Sequence, residues 1–260
     1  MLALAALAAS LTLGIGLPHR DAALLAIDDL RSHGAPIDVA NPPEAQVVVS
    51  GATVELKPAG VLLNVAPSDR QLVAAAYARI AVRYGSRVCV LDDGTPAGSA
   101  RAELMLARAP DARRASAATP GADAFVEGCI ASSDATFVAA QQAMLFMGPR
   151  AADRLYVSRL FEQVLRPGFD PARIDSLFGD VYEAAPAPLA RTPAVKAIAR
   201  EYRARTGLAA GDDVLRTYAA AQIAAQAARG PKPQYATILG EFSFGRDGES
   251  RGAGVRIRKL

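Results

Sequence analysis

"GVLLNVAPSDRQLVAAAYARIAVRYGSRVCVLDDGTPAG", residues 60–98, decides the fold class. An apolar segment ends at Pro-Ser-Asp, a helix-forming stretch follows, and the apolar run RVCVL ends in Asp92 and Asp93. Either Ser68 or Asp69 is placed to cap the helix. Strand, helix and strand in this order predict a βαβ unit, whose two strands run parallel.

The flanking segments continue this alternation. LTLGIG (residues 11–16) predicts a buried strand, and the helix that follows at residues 20–34 has its apolar residues at helical spacing and Gly34 as its stop. Strands are predicted at residues 46–50, 112–118 and 134–140, and helices at residues 99–109 and 121–132. We therefore predict an α/β fold with mainly parallel sheets covered by helices on both faces. Ligands of such sheets bind beyond the carboxyl ends of the strands.

The last third of the chain has a different pattern. An amphipathic helix is predicted at residues 194–207, and a second helix, capped by Asp and ended by Gly, at residues 212–230. The segment 236–260 is predicted to close the chain as a hairpin whose turn is GRDGE, residues 245–249. The tail VRIRKL predicts a strand with one solvated face.

Composition and motifs argue against several classes of function. The net charge is only +3 and the arginines are scattered, so no nucleic-acid partner is expected. Cys89 and Cys129 are interpreted as small buried apolar residues. Neither His19 nor His33 has a neighbour at metal-ligand spacing, so no metal site is expected.

Enzyme motifs are missing as well. The sequence contains no G-x-S-x-G and no phosphate-binding G-x-x-x-x-G-K-[ST], and GIGLPH lacks the third glycine of a dinucleotide loop, so no cofactor is predicted. Asp92 and Asp93 could be catalytic, or they could be solvated or capping carboxylates at a strand end. Nothing in the sequence favours bond-breaking chemistry.

The first 17 residues are apolar and allow two interpretations, a secretory leader or the first strand of the fold. We favour a mixture, in which residues 1–10 are the remainder of a truncated leader and LTLGIG is the first strand. This interpretation predicts an exported protein, periplasmic or lipid-anchored.

Taken together and in order, several segments resemble type I periplasmic binding proteins. They are AALLAIDDLRSHG, the 60–98 stretch, AMLFMGP, VYEAAP, AVKAIAREYRARTG, TYAAAQIAAQAAR and ILGEFSFGRDGESRG. The nearest subgroup is similar to the leucine/isoleucine/valine-binding proteins of ABC importers. The resemblance implies two α/β lobes with a ligand cleft between them, lobe one at 11–70 plus 184–250 and lobe two at 71–183 plus 251–260.

The resemblance also implies a function and partners. We expect the substrate-binding component of an ABC importer, a monomer without catalysis or cofactor, with a small-molecule ligand and a membrane permease as partners. The ligand is expected to resemble a branched-chain amino acid or to be a carboxylate. A degenerate paralogue acting as an accessory or sensor protein is the first alternative, and a small intracellular α/β enzyme is the second.

The expected ligand residues come from the same resemblance. The SGAT loop would hold a ligand carboxylate through backbone groups and hydroxyls. A second carboxylate loop is missing, because only about a dozen residues separate the first helix from QVVVS, too few for another βα unit. The expected ligand-binding residues are Ser50, Gly51, Ala52, Thr53, Ala97, Gly98 and Arg150.

Two of these positions depart from the family pattern. Ala97 stands before Gly98 where the family usually has tyrosine, and Arg150 follows FMGP where an acid usually pairs with the ligand ammonium. A guanidinium repels an amino group and suits a carboxylate or phosphate. Alternatively, Arg150 points to solvent or pairs with Asp153.

Overall fold

The structure is a computed structural model that describes residues 11–57, 59–84, 88–92, 94–108, 110–116, 128–131, 154–157, 181–251 and 254–259. The chain divides into two compact units, each made of two stretches of sequence. Unit 1 comprises Met1–Ala66 and Pro188–Ala253, and unit 2 comprises Pro67–Ala187 and Gly254–Leu260.

Unit 1 contains a five-stranded sheet, three helices and a hairpin. The sheet strands are β1 (Leu11–Ile15), β2 (Ile37–Ala40), β3 (Val47–Ser50), β4 (Thr53–Leu56) and β5 (Val61–Asn64). The helices are α1 (Arg20–Ser32), α4 (Pro193–Thr206) and α5 (Asp212–Ala227), and the hairpin joins β11 (Tyr235–Thr237) to β12 (Gly240–Phe242).

The sheet of unit 1 is half parallel and half antiparallel. Its strand order is β2-β1-β3-β4-β5, with β2 and β3 parallel to β1 on either side. The pairs β3–β4 and β4–β5 are antiparallel. Sequence reasoning missed β2 and β4, which are only four residues long. Neither strand contains a run of apolar residues like Val47–Val49 of β3, by which the sequence would have marked it.

A six-residue loop, residues 41–46, carries the chain from β2 to β3 across β1. A return between parallel strands ordinarily needs a dozen residues or more. Here Gly14 is the register partner both of Ala40, the last residue of β2, and of Val48, the second residue of β3. The end of β2 and the start of β3 therefore lie at nearly the same height in the sheet, and the connection does not have to run back along a whole strand. The expectation that a full βα unit is missing at this point is confirmed for the helix only, because strand β2 is present between α1 and β3.

Gly14 makes this short crossing possible. A Cβ at that position would lie 2.8 Å from Pro42 Cα and 2.9 Å from Ala45 Cβ, closer than atoms of a folded chain approach. Glycine within a strand often marks such a close backbone approach. The Lys57 ammonium fixes the loop from the side by donating to the Pro42 carbonyl at 2.8 Å.

The other face of the sheet carries the core of unit 1. Leu13 and Val49 are fully buried there, in one cluster with Ile27 of α1 and Ile223 of α5. Burial of a side chain of this size contributes about 1.5–3 kcal/mol. Twelve of the sixteen residues of α5 are buried, many of them alanine, so α5 packs closely against α1 and the sheet.

Unit 2 contains a six-stranded sheet and helices α2 (Asp69–Tyr84) and α3 (Pro96–Leu106). Its strand order is β13-β10-β9-β8-β6-β7, and only the β10–β13 pair is antiparallel. The strands are β6 (Val88–Asp92), β7 (Arg113–Ser116), β8 (Gly128–Ala131), β9 (Arg154–Val157), β10 (Val181–Pro186) and β13 (Val255–Lys259).

One face of this sheet packs against α2 and α3. Val90 is fully buried in one cluster with Leu72 and Val73 of α2 and Met105 of α3. Ser68 caps α2, because its hydroxyl accepts from Gln71 N–H while the Gln71 side chain accepts from Ser68 N–H. Of the two cap candidates in the sequence, Ser68 is therefore the one used.

Three local predictions were wrong. The predicted helix at residues 121–132 is contradicted at Gly128–Ala131, which is strand β8. The predicted closing hairpin is contradicted because β12 pairs with β11 and β13 pairs with β10, although Phe244 and Ser250 still form one bridge across GRDGE. Helix α5 has Gly211 rather than an Asp as its N-cap. The predicted strand 134–140 lies outside the described residues.

Candidate ligand-binding site

Residues 50–53, which the sequence predicts to bind ligand, form a hairpin turn between antiparallel strands β3 and β4, with Gly51 and Ala52 as its two central residues. Ser50 pairs with Thr53, and Gly51 at the first central position has φ +55°. A positive φ at this position alone is typical of a type II′ hairpin, which favours glycine there. The amides of the two central residues take no part in the ladder, so they are the donors that this turn can present to an anion.

The turn is fastened to the loop between β1 and α1. The Ser50 hydroxyl donates to the Leu17 carbonyl, and Gly16 N–H donates to the Val49 carbonyl at 2.8 Å. A Cβ atom added at Gly51 would lie 3.4 Å from Pro18, which follows a cis peptide bond. Residues 16–18 and the turn therefore lie side by side at the carboxyl ends of β1 and β3.

The two hydroxyls of the turn are already engaged. Besides the Ser50 bond to Leu17, the Thr53 hydroxyl lies 3.2 Å from the Asn64 side-chain oxygen, across the β4–β5 pair. A hydroxyl has one proton and two lone pairs, so a donor whose proton is committed can still accept. With both contacts kept, a carboxylate at this turn would be bound through backbone amides rather than through Ser50.

In unit 2, charged side chains form a network at the carboxyl end of β6. Asp92 ends β6 and is only 9% exposed. Its carboxylate accepts from Gly94 N–H at 2.9 Å, from the Ser99 hydroxyl at 3.2 Å and from two nitrogens of Arg114 on β7. The same guanidinium also binds Glu103 on α3.

Burial alone would raise the pKa of Asp92, but its hydrogen bonds oppose this effect. The bonds from Gly94, Arg114 and Ser99, together with the charge of Arg114, hold the pKa of the Asp92 carboxyl below its ordinary value. Asp92 is therefore ionised at neutral pH, and its acceptor sites are taken by the start of α3 and by β7. The geometry of Asp92 matches a structural role rather than catalysis, although the helix is capped by Thr95 and not by Asp92.

Ala97 and Gly98 lie in the first turn of α3. Thr95 is the N-cap, and its hydroxyl accepts from Gly98 N–H at 3.1 Å. The Gly98 amide is thus used in capping the helix. Arg150 and its alternative partner Asp153 lie outside the described residues, and so does Asp93.

Sequence reasoning missed the partners of these residues. In the sequence, Arg114 is one of several scattered arginines, and Asn64 lies within an apolar segment. Each is brought to its partner by strand pairing: Arg114 lies 22 residues from Asp92, and Asn64 lies 11 residues from Thr53. No local pattern marks such pairs.

Within the described ranges, no group of three or more His, Cys, Asp and Glu residues is arranged to hold a metal ion. No helix in the same ranges has the length and apolar character needed to cross a membrane.

The chain matches no family model and no curated protein, but it matches solved structures along nearly its whole length. An ABC transporter substrate-binding protein from Desulfitobacterium hafniense, in complex with Leu, has a TM-score of 0.62 at 12% identity over 96% of this chain and 97% of that chain. A putative branched-chain amino acid ABC transporter protein from Rhodospirillum rubrum has a TM-score of 0.60 at 16% identity, with the same coverage.

A possible leucine/isoleucine/valine-binding protein from Rhodopirellula baltica has a TM-score of 0.58 at 11% identity, with 96% of each chain covered. Likeness at such low identity establishes the fold. The fold is that of type I periplasmic binding proteins, an α/β fold as expected from the sequence. The sheet of unit 2 is mainly parallel, also as expected, whereas the sheet of unit 1 is half antiparallel.

Proposed function

We propose that this chain is the solute-binding component of an ABC importer, exported to the periplasm or held at a membrane surface by a lipid. The observation that carries the proposal is its fold, shared over 96% of the chain with solved substrate-binding proteins of ABC transporters. A binding protein of this kind needs a small-molecule ligand and a membrane permease, and it needs no cofactor and no catalysis.

The turn of residues 50–53 is the part of unit 1 that we propose for ligand binding. Its central amides can donate to a carboxylate, and glycine at position 51 allows the positive φ that the turn requires. The Ser50 and Thr53 hydroxyls hold the turn in shape through Leu17 and Asn64. This arrangement supports a solute that carries a carboxylate, such as a branched-chain amino acid or a simple organic acid.

Arg150, Ala97 and Gly98 complete the proposed set of ligand residues. A guanidinium binds a carboxylate bidentately and disfavours an ammonium, so Arg150 shifts the proposal from zwitterionic amino acids toward carboxylates. Without a tyrosine, Ala97 has no ring to cover an aliphatic side chain. We therefore rank simple carboxylates above branched-chain amino acids as candidate solutes.

The test is a thermal-shift screen of the purified protein with branched-chain amino acids, aliphatic and aromatic carboxylates, amides and phosphates. A ligand at 100 times its Kd stabilises the native state by about 2.7 kcal/mol, which a thermal shift detects readily. We expect a carboxylate to raise the melting temperature of the wild type, and the shift to be lost in Arg150→Glu. The absence of any shift in a well-folded protein would reject solute binding.

Hydroxyl variants test the contribution of the turn. Ser50→Ala frees the turn from Leu17 and is expected to weaken binding several-fold. Thr237→Val is the matched control, because Thr237 also uses its hydroxyl within a hairpin turn, that of β11 and β12, by donating to Gly240. If both variants bind the solute as the wild type does, residues 50–53 do not contribute.

A second candidate function is supported by the loop of residues 41–46. This loop joins β2 to β3 with no helix between them, so unit 1 lacks the helix that ordinarily connects two parallel strands. A degenerate paralogue that serves as an accessory or sensor protein would tolerate this loss. A silent ligand screen, combined with capture of the permease or another protein by the folded chain, would favour it.

A further inference from the structure

Helix α4 carries positive charge that the proposed ligand site does not use. Lys196, Arg200 and Arg203 are exposed and follow one another at spacings of four and three residues. Residues at these spacings are neighbours on one side of an α-helix. At ~100° per residue the three cations occupy an arc of about 60° and a length of about 10 Å. We call these three residues the α4 stripe.

The cations of the α4 stripe have no acidic partner among the described residues. The one acid of α4, Glu201, lies on a different side of the helix from the stripe. The fourth cation of the helix, Arg205, does have a partner, because it donates to Asp28 of α1 at 2.6 Å. The stripe is therefore unneutralised, although an arginine of the same helix is paired.

Helix energetics does not account for the α4 stripe. Like charges three or four residues apart on a helix repel and destabilise it slightly. The helix dipole favours a cation in the last turn, which applies to Arg203, but its effect does not extend to Lys196 and Arg200. The buried face of α4, formed by Val195 and Tyr202, lies on another side of the helix. The position of the charge suits an anionic partner outside the fold.

The surroundings of the α4 stripe favour a lipid surface over a nucleic acid. Nucleic-acid binding commonly uses aromatic side chains on which bases stack, but the one aromatic residue of α4, Tyr202, is buried. An aliphatic side chain is exposed instead: Leu208, two residues beyond the end of α4, is 63% exposed. Leucine side chains enter the boundary between headgroups and acyl chains, while Lys and Arg are attracted to anionic headgroups.

We propose that the α4 stripe binds the headgroups of anionic phospholipids and that Leu208 enters the bilayer interface beside them. The charge of the stripe is complementary to such a surface, and each cation near the surface strengthens binding by about fivefold. Three cations and one leucine give weak, reversible attachment that salt screens. The inference does not depend on the proposed function.

The test is co-sedimentation of the purified full chain with phospholipid vesicles at low and at high salt. One set of vesicles contains phosphatidylcholine alone, and the other contains equal amounts of phosphatidylcholine and phosphatidylglycerol. We expect the protein to pellet with the mixed vesicles at low salt, and to stay in solution at high salt or with phosphatidylcholine alone. Failure to pellet with the mixed vesicles, or binding to a duplex oligonucleotide in their place, would overturn the proposal.

Two variants of equal charge separate the α4 stripe from net charge. The stripe variant, Lys196→Gln with Arg200→Gln and Arg203→Gln, is expected to bind the mixed vesicles about 100-fold more weakly. The control changes three exposed arginines elsewhere in unit 1: Arg229→Gln, Arg246→Gln and Arg251→Gln. It removes the same charge and should keep most of the affinity. Both variants should melt like the wild type, because the altered side chains are exposed. Equal weakening of binding in the two variants would overturn the proposal.

The apolar part of the proposed contact is tested by Leu208→Asn. This substitution leaves the charge unchanged, so vesicle binding should weaken several-fold while its dependence on salt stays as in the wild type. Unchanged affinity would show that Leu208 stays outside the bilayer, and would overturn that part of the proposal.

Discussion

Strand β3 of unit 1 and strand β6 of unit 2 both end in polar loops, but the two loops are held by different forces. The turn after β3 is held by a serine hydroxyl and backbone groups, without an ion pair. The loop after β6 is held by the buried Asp92 carboxylate, which binds Gly94, Ser99 and Arg114. The charged group of unit 2 uses its acceptors within the fold, whereas the two central amides of the neutral turn in unit 1 take no part in the strand ladder.

This difference predicts that unit 2 depends on charge and unit 1 on close packing. The largest effect is expected for Asp92→Ala, which removes the acceptor of Gly94 and Ser99 and leaves Arg114 without its buried partner. We expect a loss of about 3 kcal/mol in the free energy of unfolding, measured by urea denaturation. Glu103→Ala is the control: it removes the exposed partner of the same arginine and should change little. Equal losses would show that burial of Asp92 is unimportant.

Acid should weaken unit 2 before unit 1. The pKa of Asp92 is lowered by folding, so its contribution is present above the pKa of the unfolded chain, about 3.9, and is lost as the pH falls through the lower folded value. Amide hydrogen exchange at decreasing pH should show earlier loss of protection in β6 and α3 than in β1 and β3. In Asp92→Asn this difference in acid sensitivity should shrink; if it persists, another group causes it.

Close packing in unit 1 is tested by Gly14→Ala. The added Cβ collides with Pro42 and Ala45 of the crossing loop, so we expect a loss of about 2 kcal/mol that does not change with salt. Gly211→Ala is the control for an added methyl group, because its φ is −72° and nothing lies within 4 Å of the added atom. Since Gly211 is the N-cap of α5, this control is itself expected to lose about 0.5–1 kcal/mol. A loss in Gly14→Ala no greater than in the control would mean that the loop moves away at no cost.

The Tyr218 hydroxyl makes a polar contact inside the core of unit 1, and its removal should have a smaller effect on the free energy of unfolding. Its hydroxyl donates to Asp29 at 2.9 Å and joins α5 to α1, so Tyr218→Phe should cost about 1 kcal/mol at neutral pH. Burial, followed by the bond to Asp29, raises the pKa of the Tyr218 phenol above its ordinary value. This contribution is present below about pH 10 and is lost as the pH rises further. Urea unfolding at alkaline pH should therefore bring the two proteins closer in stability, and a constant difference would contradict this.

The smallest stability effect is expected for Ser50→Ala. The substitution removes one hydrogen bond to the Leu17 carbonyl at an exposed position, which should cost about 0.5 kcal/mol. The ligand affinity should fall by a larger factor than the equilibrium constant for folding, because the turn then loses its fixed shape. A stability loss as large as that of Gly14→Ala would show that Ser50 has mainly a structural role.

Local signals in the sequence identified the long helices and the central strands. Amphipathic spacing predicted α1 and α4, and the apolar run RVCVL predicted β6. The segment GCIA of β8 was assigned to a helix, because four residues do not distinguish a strand from part of a helix. Its pairing with β6 and β9 makes it a strand.

The candidate site, too, could be predicted from the sequence only in part. The glycine and hydroxyls of residues 50–53 are visible as a turn in the sequence, but their contacts with Leu17 and Asn64 depend on strand pairing. The same is true of the Asp92–Arg114 pair. Contacts that join distant residues follow from topology, and a single sequence does not display topology.

The division of unit 1 into two stretches of sequence also has a consequence for synthesis on the ribosome. Strand β5 ends at residue 64, but α5, which covers the apolar face of the sheet, begins only at residue 212. At ~5–20 residues per second, the nascent sheet waits roughly 7–30 s for its covering helix. A chain released at residue 187 would carry an exposed apolar sheet and should aggregate, so productive folding of unit 1 is expected to follow translation.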